Sequence, residues 1–478
     1  MNDFPTRLFI DGEFRAPASD KRLRLINPAN DEVITEVLAG DAEEVNLAVE
    51  GAQRAFHQIW RDMTPGNRTE ILFNIAKQIR ANAEPLAHAE MTNVGKPIAD
   101  ARDEIALGAR VFEYYAGAVT KFFGQTIPVA RGGFDFTLRQ PLGVVAAIVP
   151  WNFPFPIACW KTAPALAAGN SVVLKPASLS PLTALMLGEI ATAAGLPPGA
   201  LQVIPGSGSK MGDALVTHPL VRKISFTGST AIGSRIMELA ARSIKRISLE
   251  LGGKSPNIVF ADADLERAAA QSPGSVFANT GQDCCARSRV FVERRIYGEF
   301  IERFVAATKE LKVGDPAQEK TQLGPMVSTG QRDSVEKFIE SARREKRQIA
   351  CGGERVFNKG AFLQPTVICE PDVQDRVWRE EVFGPVACIR SFDSEKQLIA
   401  EVNDTPYGLS GSIWTNDLRR ALRISRRVES GVLSINCNNS VHVEAPFGGF
   451  KQSGIGRDLG MTALEGYTEL KNVYIAES

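Results

Sequence analysis

Apolar residues recur at helical spacing between about residues 41 and 124. Val45 and Ala48 lie three positions apart, and Ile71 and Ile75 lie four positions apart. Such spacing places apolar side chains on one face of a helix. The segment is therefore predicted to form amphipathic helices.

A different pattern follows, in which short apolar runs are each succeeded by a polar or glycine-containing turn and then by a helical stretch. The first runs are GVVAAIVP, NSVVLKP, LQVIPG and KISFTG, and those after Gly281 are SRVFVE, QIACGG, VACIRSF, LSGSIWT and GVLSIN. Strands that alternate with helices indicate parallel sheets with crossover helices. The sequence therefore predicts an α/β fold with two parallel-sheet domains in series.

Two segments fit neither alternation. They are GQTIPVARGGFDFTLRQ, at residues 124–140, and the C-terminal stretch GYTELKNVYIAES. Both are predicted to be exposed strands, and an exposed strand edge needs a pairing partner.

Composition narrows the kinds of partner. Lys plus Arg and Asp plus Glu both number 55, so no net charge attracts nucleic acid or an anionic membrane. The longest uncharged run, residues 140–160, contains three prolines in its second half, which argues against one continuous membrane-spanning helix. The start MNDFPTRLFIDGEF lacks a secretory signal pattern, so the protein is expected to be cytoplasmic. Its partners are expected to be small molecules or copies of itself.

The adjacent residues Cys284 and Cys285 raise three alternatives: a disulfide, a metal site, or a nucleophile with a neighbour. The seven cysteines are scattered, with no CxxC pair, and none of the four histidines lies at ligand spacing from a cysteine. No metal site is therefore expected, and the nucleophile interpretation is favoured.

A thiol needs an activating base or a local positive field to act as a nucleophile near neutral pH. Glu250, at the end of an apolar strand in LELGGKSPN, is a candidate general base because burial would raise its pKa. A helix-capping or ion-paired glutamate is the alternative. Asn152, between the prolines of PWNFP, is a candidate oxyanion donor, and its alternative is an asparagine in a tight turn.

Two further features suit a dinucleotide. The turn FTGSTAIG holds Gly228 and Gly233 and opens a helix, where a pyrophosphate can bind, although an ordinary strand–helix turn needs the same residues. Lys175 ends a predicted strand, where open α/β sheets bind ligands, and its alternative is a surface lysine. The turn GSGSKMG, residues 206–212, is one residue too long for the dinucleotide fingerprint. Taken together, these residues suit thiol attack on a carbonyl beside a dinucleotide.

In this combination the chain resembles the aldehyde dehydrogenase superfamily over nearly its whole length. The motifs occur in order as PWNFP, KPAS, FTGSTAIG, LELGGKSP, GQDCCA, EEVFGPV, NDTPYGLSG and PFGGFKQSGIGRDLG. The resemblance implies that Cys284 is the nucleophile and that Asn152 and the backbone amide of Cys284 hold the oxyanion. It also implies that Glu250 activates the water that releases the acid.

The same resemblance implies a set of cofactor residues. Lys175 would bind the adenosine ribose, Gly228 and Ser229 the pyrophosphate region, and Glu381 with Phe383 the nicotinamide ribose and ring. The remaining residues assigned to the cofactor site are Trp151, Ser178 and Gly233.

Family architecture implies three parts. These are a dinucleotide-binding domain in residues 1–123 and 141–252, a catalytic domain in residues 253–462, and an oligomerisation arm in residues 124–140 and 463–478. The arm pairs with a neighbouring subunit in the family, so a homodimer or homotetramer is expected.

Two positions bear on specificity. Many NAD-dependent members have a glutamate where this chain has Ser178, so NADP becomes acceptable here, with NAD still favoured. Asp283, beside the nucleophile, should raise the pKa of the thiol unless its carboxylate meets a cationic group. An acidic residue at this place resembles the aminoaldehyde and betaine-aldehyde branch, where such a residue receives the amine of the substrate. A solvated loop position for Asp283 is the alternative.

The substrate is accordingly expected to be an aminoaldehyde or a hydrophobic or aromatic aldehyde. Candidate pocket residues are Phe153, Ile157, Trp160, Asp283, Cys285 and Phe447, although the helical face shared by Phe153, Ile157 and Trp160 is more often core than pocket. Two other classes stay open at this point: a cysteine esterase or acyltransferase without a dinucleotide, and a non-catalytic binding protein.

Overall fold

The computed structural model describes residues 4–439 and 441–477. The N-terminal half contains β1 (Leu8–Ile10), β2 (Glu13–Arg15), β3 (Arg22–Ile26), β4 (Val33–Leu38), α1 (Ala42–Ala55), α2 (Pro65–Ala81), α3 (Ala83–Val94), α4 (Ile98–Ala118), β5 (Thr126–Ile127), β6 (Phe134–Pro141), β7 (Val144–Ile148), α5 (Pro154–Ala167), β8 (Ser171–Lys175), α6 (Leu182–Ala193), β9 (Leu201–Val203), α7 (Gly208–Thr217), β10 (Val221–Thr227), α8 (Thr230–Ala241) and β11 (Arg246–Glu250).

The C-terminal half contains β12 (Pro256–Val259), α9 (Leu265–Phe277), β13 (Arg289–Glu293), α10 (Tyr297–Lys309), α11 (Thr329–Arg344), β14 (Gln348–Cys351), β15 (Thr366–Cys369), α12 (Arg376–Arg379), β16 (Val386–Phe392), α13 (Glu395–Asn403), β17 (Ser412–Trp414), α14 (Leu418–Ser425), β18 (Ser434–Ile435), β19 (Gly454–Ile455), α15 (Gly460–Glu465) and β20 (Thr468–Ile475). The residues of the predicted domains that lie outside the described part are 1–3, Ser440 and Ser478.

Amphipathic helices form in the first segment, as predicted. The helix α1 begins with a capping box, in which the Asp41 side chain accepts from the backbone and Glu44 bonds back to the Asp41 backbone. The helices α4 and α5 pack closely, since a Cβ on Gly108 would lie 2.5 Å from the Phe155 ring. These helices bury one large apolar core against the first sheet.

Two sheets confirm the predicted parallel alternation. The first has the order β19-β11-β10-β7-β8-β9-β1-β2, with β9, β8, β7, β10 and β11 parallel and the edge strands antiparallel. The second has the order β14-β15-β16-β13-β12-β17-β18, which is parallel except for β14. A hairpin of β3 and β4 lies apart from both sheets.

The two segments predicted as exposed strands are strands, and each is the partner of the other within the chain. Residues 468–475 of β20 pair antiparallel with residues 134–141 of β6, and β5 adds a third strand. This third sheet ties the C-terminal end of the chain to a segment that lies between α4 and β7.

The topology places the site at the carboxyl end of the first sheet. Thr227 and Glu250 are opposite one another in the register of β10 and β11, and both end their strands. Gly454 of β19 pairs with Glu250, which brings a loop from the C-terminal half onto this edge. Among the described residues, the helices include none that is both long and apolar enough to span a membrane.

Candidate active site

Two cavities meet at one cysteine. A cavity of about 680 Å³ and a second of about 280 Å³ lie on either side of Cys284, and both Cys284 and Thr227 line the two of them. A ligand in either cavity can therefore reach the same thiol.

The loop that carries this thiol is held in a strained conformation. Asn279, Thr280 and Gly281 are consecutive residues with φ of 51°, 56° and 70°. A Cβ on Gly281 would lie 2.1 Å from the Gly384 carbonyl oxygen, so the turn requires glycine there. Strain of this kind persists where the surrounding structure holds it, and it is common at functional sites.

Cys284 itself lies in surroundings that favour the protonated thiol. Hydrogen bonding to the Cys285 thiol, burial, and the nearby carboxylates Asp283 and Glu381 raise its pKa well above the usual value. The predicted effect of Asp283 on the thiol is thus present. The resting thiol holds its proton and needs a base to become nucleophilic.

Glu250 lines the same cavity as Cys284. Its side chain is buried, and neither carboxylate oxygen has a hydrogen-bond partner among the described residues. Burial and the charge of Asp458 raise its pKa well above the usual value. A Cβ on Gly448 would lie 2.6 Å from Glu250 Oε1, so the absence of a side chain there leaves room for the carboxylate. This is the environment of a general base that works near neutral pH. Within the described part of the chain, Glu250 forms no capping hydrogen bond and no ion pair.

Asn152 lies in the turn between β7 and α5, where Pro154 occupies the first helical turn. Its Nδ2 donates to the Gln282 carbonyl at 3.0 Å, and an amide nitrogen has a second hydrogen to donate. The backbone carbonyl of Asn152 accepts hydrogen bonds from Asn279 Nδ2 at 2.9 Å and from Lys96 Nζ at 3.0 Å. The candidate oxyanion donor is therefore fixed to the loop of the nucleophile.

Sequence reasoning missed Lys96 and its partner. The Lys96 ammonium is fully buried, forms an ion pair with Glu104, and lies 4.2 Å from the centroid of the Phe153 ring. Burial raises the pKa of Glu104 to about 8, against the lowering effect of Lys96. Glu104 also lines the larger cavity. The signal in the sequence was only a lysine between a glycine and a proline after a helix.

A second buried ion pair, Lys161 with Asp458, acts electrostatically on Glu250. Lys161 Nζ donates to Asp458 Oδ2 at 2.9 Å and to the Ser225 hydroxyl at 3.2 Å. The Tyr467 hydroxyl donates to the same serine at 3.1 Å. Burial raises the pKa of Glu250 most, Asp458 raises it further, and Lys161 lowers it, so this pair modulates the strength of the candidate base.

The smaller cavity gathers most residues assigned to the cofactor. The cavity is lined by Trp151, Gly228, Ser229, Glu381 and Phe383. The Trp151 and Phe383 rings pack edge-to-face, with their centroids 5.3 Å apart. Ser229 caps the N-terminus of α8. Glu381 Oε1 accepts from the Gly253 amide at 3.0 Å, and burial raises the pKa of Glu381 to about 7.

Three assigned cofactor residues do not line this cavity. Lys175 Nζ and Ser178 Oγ both donate to the Gly206 carbonyl, at 3.2 and 3.0 Å, at the start of the turn before α7. Burial lowers the pKa of Lys175, which is not a surface lysine. Gly233 lies in α8, where a Cβ would meet Leu251 at 2.5 Å, so glycine at this position allows the helix to pack closely on the strand end.

The larger cavity gathers all the candidate substrate residues: Phe153, Ile157, Trp160, Asp283, Cys285 and Phe447. The face shared by Phe153, Ile157 and Trp160 is thus a pocket wall as well as part of the core. The Trp160 and Phe447 rings meet edge-to-face at 5.3 Å. Asp283 is half-buried, accepts from the Cys285 amide at 2.8 Å, and has a pKa that burial raises.

Comparison with known proteins agrees with this geometry. The aldehyde dehydrogenase family matches residues 14–473. Human retinaldehyde dehydrogenase 3 is 44% identical over 474 residues, covering 98% of this chain and 93% of that protein. The chloroplastic betaine aldehyde dehydrogenase of Beta vulgaris is 42% identical over 481 residues, covering 98% and 96%.

A solved structure gives the same result for the fold. The NAD⁺ complex of an aldehyde dehydrogenase from Bacillus cereus superposes with a TM-score of 0.98 at 39% identity, covering 100% of this chain and 98% of that one. Fold and sequence therefore agree over almost the full length. The chain belongs to the aldehyde dehydrogenase family.

Proposed function

We propose that this oxidoreductase converts an aldehyde to its carboxylic acid with NAD or NADP, using Cys284 as nucleophile and Glu250 as base. The observation that carries the proposal is that Cys284 lies at the junction of two cavities. One is lined by the residues that suit a dinucleotide, and the other is lined by apolar and aromatic side chains. A thiol at that junction contacts both reactants.

The smaller cavity fits a nicotinamide dinucleotide. A Cβ on Gly252 would lie 2.3 Å from Glu381 Oε2, so the glycine keeps space open beside the carboxylate. Ser229 and the N-terminus of α8 offer backbone amides and the positive end of a helix to a pyrophosphate. When bound, the dinucleotide supplies a hydride acceptor.

The chain's own residues account for the first covalent step. The Cys284 thiol loses its proton to the solvent, and its sulfur adds to the aldehyde carbon. The carbonyl oxygen becomes an oxyanion that the second hydrogen of Asn152 Nδ2 and the Cys284 amide stabilise. Donors aimed at such an oxyanion typically contribute about 3 kcal/mol to lowering the barrier. Loss of hydride leaves an acyl thioester on Cys284.

Hydrolysis then uses Glu250 as its base. Glu250 accepts a proton from water, and the resulting hydroxide attacks the thioester carbon and expels the Cys284 thiolate. The unpartnered oxygens of Glu250 and its raised pKa support this role. An esterase or acyltransferase would not require the second cavity with its buried Glu381. A non-catalytic binding protein would not require a buried carboxylate without a hydrogen-bond partner.

For the substrate we propose a hydrophobic or aromatic aldehyde. A cavity of about 680 Å³ lies in the range of pockets that enclose a small ligand. The aromatic walls Phe153, Trp160 and Phe447 suit a ring. Asp283 is a weak anchor for an amine, because burial raises its pKa and the charge of Arg287 lies beside it.

We also propose that the third sheet joins two subunits. Strands β6 and β20 carry exposed apolar side chains, including Phe134, Leu138, Leu470 and Ile475. Exposed apolar positions on a paired strand suit contact with a second copy. A homodimer or homotetramer would cover them, and sedimentation equilibrium distinguishes these from a monomer.

The test of the reaction is absorbance at 340 nm, the reduced-nicotinamide band, with purified protein and NAD or NADP. The panel contains phenylacetaldehyde, hexanal, 4-aminobutanal and betaine aldehyde. We expect kcat/KM to be highest for phenylacetaldehyde and no turnover by Cys284→Ser. Cys351→Ser, a half-buried cysteine outside both cavities, is the matched control.

Intact mass spectrometry tests the two steps separately. In Glu250→Gln we expect an acyl adduct to accumulate on the chain, because the base for hydrolysis is lost. Turnover that survives Cys284→Ser would exclude the mechanism. Higher kcat/KM for the cationic aldehydes would exclude the proposed substrate class and leave the mechanism standing.

A further inference from the structure

The catalytic loop brings three metal-ligand atoms together. Within residues 4–439 and 441–477, a carboxylate oxygen of Asp283 and the sulfurs of Cys284 and Cys285 all lie within 4.8 Å of one another. No resident metal is expected from the sequence, because no histidine lies at ligand spacing from a cysteine. The three donors converge only because the loop is folded as it is.

The spacing is close to what a tetrahedral ion needs. With Zn–S bonds of about 2.3 Å, two sulfurs on one tetrahedral ion lie about 3.8 Å apart. The distances between the donor atoms, which are at most 4.8 Å, therefore have to shorten by about 1 Å at most. Side-chain rotation can supply this change in a loop that faces a cavity. Two sulfur donors favour soft cations over Mg²⁺ and Ca²⁺, which prefer oxygen.

The surroundings also suit a cation. Asp283 is oriented by the Cys285 amide at 2.8 Å, which fixes one carboxylate oxygen relative to the two sulfurs. Glu250 lines the same cavity, and neither of its carboxylate oxygens has a hydrogen-bond partner among the described residues. Glu104 lines it as well but is paired with Lys96. Arg287 also lines the cavity and opposes this negative field, so the sulfur donors have to supply most of the affinity.

We propose that Asp283, Cys284 and Cys285 form a capture site for a soft divalent cation such as Zn²⁺ or Cd²⁺, which reversibly closes the active site. On binding, each thiol S–H bond breaks, its proton leaves to the buffer, and a sulfur–metal bond forms with no change of oxidation state. Chelation reverses the step. The nucleophile is then engaged, and the cavity beside it is blocked.

Binding and inhibition are separable. The inhibitory consequence rests on the proposed role of Cys284, whereas binding of the cation requires only the three donors. The experiment therefore measures binding on purified protein without aldehyde or dinucleotide, and it measures inhibition in a second assay. Turnover by the untreated protein reports on the proposed function independently.

Binding is measured by titrating reduced protein with CdCl₂ and recording the thiolate-to-cadmium charge-transfer absorbance. We expect the absorbance to saturate at one cadmium ion per chain, and we expect the band to be lost in both Cys284→Ser and Cys285→Ser. Asp283→Asn should weaken the cation affinity by about tenfold or more. Cys351→Ser, a free cysteine away from the cavity, should leave the titration unchanged. Circular dichroism of each variant checks that it is folded.

Inhibition is measured as the ZnCl₂ concentration that halves each variant's own rate. We expect Cys285→Ser to raise that concentration by about tenfold or more, and EDTA to restore the wild-type rate. No charge-transfer band, or an unchanged band in Cys285→Ser, would overturn the capture site. A normal band with no loss of rate would overturn the closure of the active site.

Discussion

The buried pair of Lys161 and Asp458 offers a sharp test of the site's electrostatics. Their side chains are 0% and 1% exposed, and Lys161 Nζ lies 2.9 Å from Asp458 Oδ2. Asp458→Asn keeps the shape and removes the negative charge. Breaking a buried pair by removing one partner costs about 3–5 kcal/mol, and a hydrogen bond from the charged lysine to the new amide oxygen returns about 1.5–3 kcal/mol. We therefore expect a net loss of about 2 kcal/mol.

Lys161→Met should cost more, because no donor replaces the ammonium beside the buried carboxylate. The double variant with Lys161→Met and Asp458→Leu should unfold nearer to wild type than either single variant, since no unpaired charge is left. The assay is the urea midpoint by tryptophan fluorescence at fixed protein concentration. Midpoints are compared because a chain of this size need not unfold in two states. A double variant no better than the worse single variant would show that packing, and not charge, is what the pair supplies.

The same variants move the base in opposite directions. Asp458 raises the pKa of Glu250, and Lys161 lowers it. A general base loses activity when pH falls below its pKa. The acid limb of the hydrolysis rate should therefore shift to lower pH in Asp458→Asn and to higher pH in Lys161→Met. Shifts of the same sign in both variants would contradict this account.

Three further expectations concern the cavities. Asn152→Ala should lower kcat by about 10²–10³-fold with a small change in KM, because one oxyanion donor is lost, and steady-state kinetics with the preferred aldehyde measures it. Glu381 has a pKa of about 7 in the folded protein and an ordinary value of 4.5 in the unfolded chain. Between these two pH values the ligand-free folded protein keeps a proton that the unfolded chain has lost, so the free energy of unfolding falls as pH rises from about 4.5 to 7. The loss is about 3 kcal/mol, and Glu381→Gln should remove it, which the difference in urea midpoint between pH 5 and pH 8 tests. Ser178→Glu should lower kcat/KM for NADP by about tenfold or more relative to NAD, since a carboxylate repels a 2′-phosphate, and the ratio of the two cofactors' kcat/KM reports it.

Much of the fold was predictable because its signals are local. The helices α1 to α4 and the strands β7, β8, β10 and β13 lie where apolar periodicity and turn residues place them. The positions of Cys284, Glu250 and Asn152 followed from short motifs whose context is a strand end or a turn. Motifs of this kind span about ten residues or fewer, so a single sequence is enough to find them.

The supporting residues could not be predicted in the same way. Lys96 contacts a residue 56 positions along the chain, and Lys161 contacts one 297 positions along it. A single sequence does not say which buried lysine meets which carboxylate, because the fold brings the partners together. For the same reason the sequence does not show that Lys175 and Ser178 both donate to the Gly206 carbonyl, 31 and 28 positions along the chain.

The pairing of β6 with β20 has a consequence for synthesis. Residues 134–141 leave the ribosome long before their partners at 468–475 exist, a separation of about 330 residues in the ladder. At roughly 5–20 residues per second, the first strand waits on the order of 15–65 s with an open edge. Until then the nascent chain carries an unprotected strand that another chain can pair with. Synthesis of β20 covers this open edge, and chains that stop before residue 468 would be the ones most prone to aggregate.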